Sequence, residues 1–561
     1  MFKEDIARAL AAELKKPVEQ ILNLLEVPPD PALGDFALPC FFLAKEMRMP
    51  PQRIAGDLVK KISLQSLEKV EANGPYLNFF VKKTDLAKAA LEMIRKGAYG
   101  KGSRKKERVM VEYCQVNTHK AFHVGHLRGT LLGQALVHIL MYDGYLVVAA
   151  NYQGDIGAHV AKSLWYLTRF NKEKMPKKGK GEWLGRIYQQ ANAKLAEKEE
   201  YAEEVQSVLK KIEDGDSKLT KLWKETRKFS LDDFEIIYKN LDVKFDVYFF
   251  ESQMERPGKE IVKGLLKKGI AKESDGALIV DLEKDGLGVC IVLKKDGTAL
   301  YSTNDLALAK IKFEKYDIKR SAYVVGAEQT LYFQQIFRIL ELMGFSQAKE
   351  CFHLPYGLVT LEGGKISSRE GELITAEDLI RQVKAYALSE VKARHPDWTK
   401  SRMTNSAEAI AMGGLKFFMI LHDSNKQINF HLEKALEFEG ETGPYIQYTH
   451  ARISSILRKH KKKALGKVQY SLLSLPSEKE LIKTLVDYPQ VIAGASEQYR
   501  PALLARYLLL LAQTFNNYYH ETPVLKAAPE IRDARLLLIT CVRDVLSSGL
   551  SLLGIVAPEE M

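Results

Sequence analysis

His123-Val124-Gly125-His126 sets two imidazoles three residues apart, with a residue lacking a Cβ between them. The apolar, β-favouring run Val109-Met110-Val111-Glu112-Tyr113 precedes them, and Leu131, Leu132, Ala135, Leu136, Ile139 and Leu140 follow at helical spacing. A strand should hand over to a helix here. The N-terminus of a helix carries unpaired N–H groups and a partial positive charge, so it attracts phosphate. Two imidazoles at that point can donate hydrogen bonds to a phosphate as charge builds on it during displacement. Gly125 would let a flat ring lie against the backbone. Much further along, Gly363-Gly364-Lys365-Ile366-Ser367-Ser368-Arg369 offers a lysine on a glycine-freed loop, a point charge able to follow departing phosphates. Each motif alone has a plainer reading: a helix start with two surface histidines, and a common surface loop.

The elements that must position these residues are partly legible. From Arg108 onward strands alternate with helices, with Tyr145–Asn151, Ala277–Leu282, Val289–Leu293, Ala322–Val325 and Leu354–Thr360 the best strand candidates. Such alternation favours a parallel, doubly wound sheet. Residues 160–245 interrupt it with long, charged, helix-like sequence, read as a helical insertion, with Lys172–Gly181 an exposed loop. Helical patterns and short strands alternate over residues 1 to about 100, and a Gly/Lys/Arg-rich stretch, Gly97–Lys106, reads as a linker. After about residue 376 strands should vanish, and 405–422, 432–460, 476–497, 501–520 and 529–553 carry helical periodicity.

The chain has 561 residues, enough for several domains with large cores. Its net charge of +12 suits a polyanionic partner, although many basic proteins have none. The five cysteines, Cys40, Cys114, Cys290, Cys351 and Cys541, are odd in number and far apart, which argues against a disulfide framework or a structural zinc and for a reducing compartment. No metal ligands stand out. The N-terminus is acidic within five residues, unlike a signal peptide, and no run of 18 or more apolar residues exists to span a membrane.

Residues 111–130, VEYCQVNTHKAFHVGHLRGT, resemble the signature of class I aminoacyl-tRNA synthetases, the arginyl-tRNA synthetase family in particular, and Lys365–Arg369 resembles their K-M-S-K-S loop. The resemblance extends over nearly the whole chain and is weakest in the insertion. It implies a Rossmann-type α/β catalytic domain over 106–378 with the insertion around 160–245. A small N-terminal α+β domain contacting the tRNA corner would cover 1–100, with LGDFALP at 33–39 and GPYLNF at 74–79. An all-α anticodon-binding bundle would cover 379–561. The implied activity is arginine–tRNA ligation: arginine is activated with ATP, carried as its magnesium complex, and passed to the 3′ end of tRNA(Arg). The implied protein is cytoplasmic and monomeric, and it activates arginine only with tRNA bound.

Site residues follow from the same resemblance. His123 and His126 would stabilise the transition state, Lys120 and Lys365 would face the phosphates, and Gly125, Ser367 and Ser368 would complete the nucleotide site. Guanidinium is planar, permanently charged and rich in donors, so a selective pocket needs fixed carboxylates. The family pattern places Glu112, Asn117 and Gln329 around the α-amino and carboxyl groups, and Glu251, Tyr301 and Asp305 around the side chain. Taken singly, each acid also reads as a surface residue, and Asp305 as a cap for a helix starting at Leu306. Tyr445, Tyr448 and Arg452 share one helix face, and aromatics beside a guanidinium suit unstacked bases; core tyrosines are the alternative. The final residue, Met561, would sit near the RNA.

The chain departs from the family at several points. Ser368 stands where a lysine is usual, and Lys120, just before the histidine motif, is the expected substitute. Glu370, Asn304, Ala121 and Ile156 replace a basic residue, an arginine, a proline and a tryptophan. The rival readings are another class I synthetase, such as a cysteinyl enzyme, which would want a zinc site, and a non-catalytic tRNA-binding relative.

Overall fold

Leu77, Phe79 and Val81 alternate inward and are buried, which makes their segment one side of a covered sheet. In a computed structural model, described at residues 2–26, 28, 33–361, 374–460 and 468–561, that segment is the middle of three antiparallel strands. These are β1 (Phe36–Pro39), β2 (Leu67–Asn73) and β3 (Tyr76–Val81), in the order β1-β3-β2. Gly74, left-handed at φ 56°, turns β2 into β3. Helices α1 (Phe2–Leu14), α2 (Val18–Leu24), α3 (Phe41–Met47) and α4 (Pro51–Val59) close a core around Leu10, Ile21, Leu38, Ile54 and Phe79. With α5 (Lys83–Arg95) these belong to one of two compact units, made of residues 1–99, 460–487 and 517–542.

The other unit comprises 100–459, 488–516 and 543–561. Val109, Met110 and Val111 have no exposed surface, as expected for a strand covered on both faces. Their strand, β4 (Arg108–Glu112), runs parallel to β5 (Leu146–Gln153) on one side, and β5 to β6 (Val247–Phe250). The helix α6 (Val124–Tyr142) connects β4 to β5. Between β5 and β6 lies the insertion: α7 (Ala158–Arg169), α8 (Lys180–Leu195), α9 (Glu200–Glu213) and α10 (Ser217–Leu241). Trp165 and Tyr201, and Val160, Leu164 and Ile212, form its small cores.

After α11 (Glu251–Lys267) come β7 (Lys272–Ser274), β8 (Ala277–Asp281) and β9 (Val289–Leu293), a separate antiparallel sheet. This corrects the expectation for 277–293: those strands exist but do not join the parallel sheet. Its fifth place goes instead to the short β6, absent from the sequence-based candidates. Helix α12 (Tyr301–Tyr316), β10 (Arg320–Gly326), α13 (Thr330–Leu342) and β11 (Cys351–Tyr356) finish the five-stranded parallel sheet, ordered β11-β10-β4-β5-β6. Chain order reverses between β4 and β10, and open α/β sheets bind ligands at the carboxyl ends beside that reversal.

Strands do not vanish after residue 376. β12 (Val359–Leu361) pairs in parallel with β13 (Ile428–Phe430), which follows α14 (Ala376–Arg394) and α15 (Lys400–Leu421). The expected helix over 432–460 is two: α16 (Leu432–Ala435) and α17 (Gly443–Lys459), broken around Gly440. Helices α18 (Pro476–Glu497), α19 (Pro501–Glu521) and α20 (Pro529–Leu552) match their expected segments. Among the described residues no helix is long and apolar enough to cross a membrane, and no group of three or more His, Cys, Asp or Glu is placed to hold a metal ion.

Candidate active site

His123 is the N-cap of α6, extended at φ −101° and ψ 170°. Its Nδ1 accepts the N–H of Gly125 at 3.1 Å, and Nδ1 of His126 accepts the N–H of His123 at 3.3 Å. Each ring therefore spends Nδ1 as an acceptor, so a neutral ring carries its proton on Nε2. Burial lowers both pKa values; Lys120 lowers both further, and His123 also lowers that of His126. Both rings are thus neutral Nε2–H donors at physiological pH. They stack with centroids 3.7 Å apart and 28° between planes. A Cβ at Gly125 would come within 3.0 Å of the His123 ring. Lys120 is half-buried, its Nζ 5.5 Å from the centre of the Tyr188 ring.

Lys365, Ser367 and Ser368 lie outside the described residues, as do Arg369, Glu370 and the lysines at 461–463. The described residues that follow 373 are held at the histidine turn. Ala376 donates its N–H to the carbonyl of Phe122 at 2.8 Å, Thr375 bridges His123, and β12 ends at Leu361. Arg128, fully buried in α6, fixes the approach to both β12 and β13. Its guanidinium donates to the carbonyls of Gly357 (2.7 Å), Lys426 (2.5 Å) and Asp423 (3.2 Å).

Glu251 and Asp305 form a cluster of acids. Glu251 begins α11 and is 6% exposed; burial, then the neighbouring Asp305, raise its pKa to about 8. Its Oε1 accepts from Asn304 Nδ2 at 3.2 Å, and its Oε2 is buried without a hydrogen-bond partner among the described residues. Asp305 is pushed up to about 7 by burial, although Tyr332 donates to it at 2.5 Å. It sits inside α12, which begins at Tyr301, so the capping alternative falls. Neither acid forms an ion pair among the described residues. Tyr301 is exposed, and burial, Glu251 and Asp305 raise its pKa. A Cβ at Gly154 would meet Asn117 Oδ1 at 2.1 Å and Glu251 Oε2 at 3.2 Å, so these two side chains converge on a residue that must lack one.

Two members of the expected set stand differently. Glu112 is turned inward, ion-paired with the fully buried Lys312 and accepting from Gln115 Nε2 at 2.9 Å. Gln329 is exposed at the N-cap of α13, at the carboxyl end of β10.

The sequence reading missed the supports. Asp155 is fully buried; it pairs with Arg227 at 2.7 Å and accepts from the N–H and Oγ of Ser252, each at 2.8 Å. Tyr152 buries its hydroxyl among Asp305, Glu251, Glu112 and Asp155, and burial first, then those charges, raise its pKa well above normal. The GDIG stretch at 154–157 was the only signal for Asp155.

On α17, Tyr448 is exposed and Arg452 stacks over its ring at 4.7 Å. Asn516 links the neighbours, donating to the Tyr445 hydroxyl at 2.9 Å and accepting from Arg452 at 2.8 Å. Phe438 meets the edge of Tyr448 at 6.1 Å, with Arg394 4.2 Å over Phe438. The chain's last residues are tied to α15 and α17: Lys416 donates to Gly554 (2.6 Å), Gln447 to Val556 (2.7 Å), and His450 bonds Pro558 (2.8 Å). Met561 ends this tail, half-buried.

A parallel sheet with two neutral imidazole donors at its reversal point, followed by a long helical C-terminal segment, defines a class I aminoacyl-tRNA synthetase. Family comparisons agree: residues 88–432 match the catalytic domain of class I tRNA synthetases of the R type, 446–561 the DALR anticodon-binding domain, and 1–81 the arginyl-tRNA synthetase N-terminal domain. Arginine–tRNA ligases of Bdellovibrio bacteriovorus and Halothermothrix orenii are 38% and 36% identical, with all of each chain covered. The Thermus thermophilus arginyl-tRNA synthetase structure matches with a TM-score of 0.80 at 29% identity over the full length of both chains. The chain belongs to the arginyl-tRNA synthetase family.

Proposed function

We propose that this chain is an arginine–tRNA ligase whose specificity rests on Glu251 and Asp305. The carrying observation is that these two carboxylates, Glu251 buried and Asp305 half-buried, neighbour each other with raised pKa values and no ion-paired cation among the described residues. A guanidinium supplies a permanent charge and several donors, which is what such a pair lacks. Tyr301 closes the side-chain end. Asn117, Gln329 and Glu112 face the α-amino and carboxyl groups; Glu112, already neutralised by Lys312, contributes orientation rather than attraction.

In the first step a carboxylate oxygen of arginine attacks the α-phosphorus of magnesium-bound ATP, and pyrophosphate leaves with the electrons of the broken P–O bond. His123 and His126 donate Nε2–H bonds to the phosphoryl oxygens as charge builds there. Lys120 and Lys365 stabilise the leaving pyrophosphate, Gly125 with Ser367 and Ser368 seats the nucleotide, and Lys120 makes good the cation missing at Ser368. In the second step the terminal ribose hydroxyl of tRNA attacks the arginyl carbonyl and releases AMP. No enzyme nucleophile is needed. Residues 1–100 contact the tRNA corner, 106–378 hold the chemistry, and 379–561 bind the anticodon through Tyr445, Tyr448, Arg452 and the end of the tail at Met561. The protein acts in the cytoplasm as a monomer.

The test is Asp305→Asn. It should raise the KM for arginine by about tenfold or more, as expected when a charged hydrogen bond to the substrate is lost, with the ATP KM within about twofold. Equal effects on both substrates would refute the assignment.

A further inference from the structure

Three non-glycine residues between β4 and the histidine turn are left-handed: Cys114 (φ 83°), Gln115 (φ 50°) and His119 (φ 64°). Such conformations persist only where surrounding structure holds them. The holding groups come from one face of α10. Thr226 Oγ1 bonds His119 Nε2 at 2.8 Å, and Ser230 Oγ accepts the His119 N–H at 2.9 Å. The Tyr238 hydroxyl accepts from Cys114 (3.5 Å), Asn151 (3.0 Å) and Gln153 (3.3 Å). Phe234 packs edge-on to Phe122, next to the histidine motif, at 6.1 Å.

The same face reaches the arginine side. Trp223 Nε1 donates to the Asp155 carbonyl at 2.6 Å, and Arg227 pairs with the Asp155 carboxylate at 2.7 Å. That carboxylate grips Ser252 through both its N–H and its hydroxyl. Ser252 is the residue after Glu251, so its backbone sets where the Glu251 carboxylate stands. Residues 223, 226, 227, 230, 234 and 238 fall at i, i+3, i+4, i+7, i+11 and i+15, which puts them on one stripe.

We propose that this stripe of α10 positions both substrates: Thr226 and Ser230 fix the His119 turn that presents Asn117 and Lys120, and Arg227 fixes Glu251 through Asp155 and Ser252. The inserted helix thereby sets the separation between the phosphate-side cation and the arginine-side carboxylate. His119 is fully buried and kept neutral by that burial, its pKa lowered to about 3, so it serves as a hydrogen-bonded strut and not as a proton carrier. Thr226, Ser230 and Arg227 are positioning residues, since none reaches the reacting atoms. The inference rests on the reading of Lys120 and Glu251 given above.

The experiment is steady-state pyrophosphate exchange by the full-length protein with tRNA present. Thr226→Val and Ser230→Ala should each lower kcat or raise the ATP KM by about tenfold, the scale of one buried hydrogen bond, with the arginine KM within about twofold. Arg227→Gln should do the reverse, raising the arginine KM about tenfold while sparing the ATP KM. Thr226→Ser keeps the hydroxyl and should restore near-normal kinetics. If Arg227→Gln does not fold, Ser252→Ala reads the same end through loss of one bond to Asp155. A parallel loss for both substrates with a lowered Tm, or unchanged kinetics in all variants, would overturn the proposal. The Asp305→Asn test is independent of α10, so failure of that reading and failure of this one are separable.

Discussion

Glu251 and Asp305 make the stability of the fold pH-dependent. Their folded pKa values, about 8 and about 7, lie above the ordinary carboxylate range. The folded apo chain therefore keeps protons that the unfolded chain sheds. Stability falls as pH rises from about 4 to about 8, and the cost is fully present above that window. Glu251→Gln should raise Tm at pH 8.5 relative to the parent, lose that advantage at pH 4, and weaken arginine activation. Thermal melts at the two pH values check this; a lower Tm at pH 8.5 would contradict it. Bound guanidinium must ionise both acids, so arginine binding at pH 6.5 should release about one to two protons. Calorimetry in buffers of different ionisation enthalpy measures that number, and zero release would exclude charge pairing. Glu112 differs because Lys312 already answers its charge. Glu112→Gln would strand a buried cation and destabilise the fold by about 3–5 kcal/mol.

The elements show why some of this was legible and some was not. The His123 turn could be read because strand, turn and helix lie within one short stretch, and the structure confirms their order. Residues 277–282 and 289–293 are short apolar, β-favouring runs, but such a run looks the same whether its neighbours are parallel or antiparallel. Four residues at 247–250 were too few to stand out. On α10, the sequence shows that Thr226, Arg227 and Ser230 are polar and share a helix face, but not that Asp155 and His119 are packed beneath it. Arg128 was equally hidden, because its three acceptors are backbone carbonyls distant in sequence. Arg128→Met should leave those carbonyls unpaired and cost about 3 kcal/mol, checked by denaturant unfolding; an unchanged midpoint would show that other contacts hold β12 and β13.

For the whole molecule, the net charge of +12 gains meaning from the exposed Tyr448–Arg452 stack on α17. Charge alone allowed many polyanions, and the tyrosine spacing alone allowed a core. The proposed function assigns that stack to RNA. Tyr448→Ala should raise the KM for tRNA about tenfold, as loss of one base-stacking platform predicts, leaving arginine and ATP requirements unchanged at saturating tRNA. Affinity for tRNA should also fall steeply with salt. In the proposed function the acid pair and the histidine turn act together on arginine and ATP. ATP–pyrophosphate exchange with each of the twenty amino acids, with and without total tRNA, tests it most directly. Exchange is expected with arginine alone, and only when tRNA is added; exchange with another amino acid, or none from well-folded protein, would contradict the proposed function.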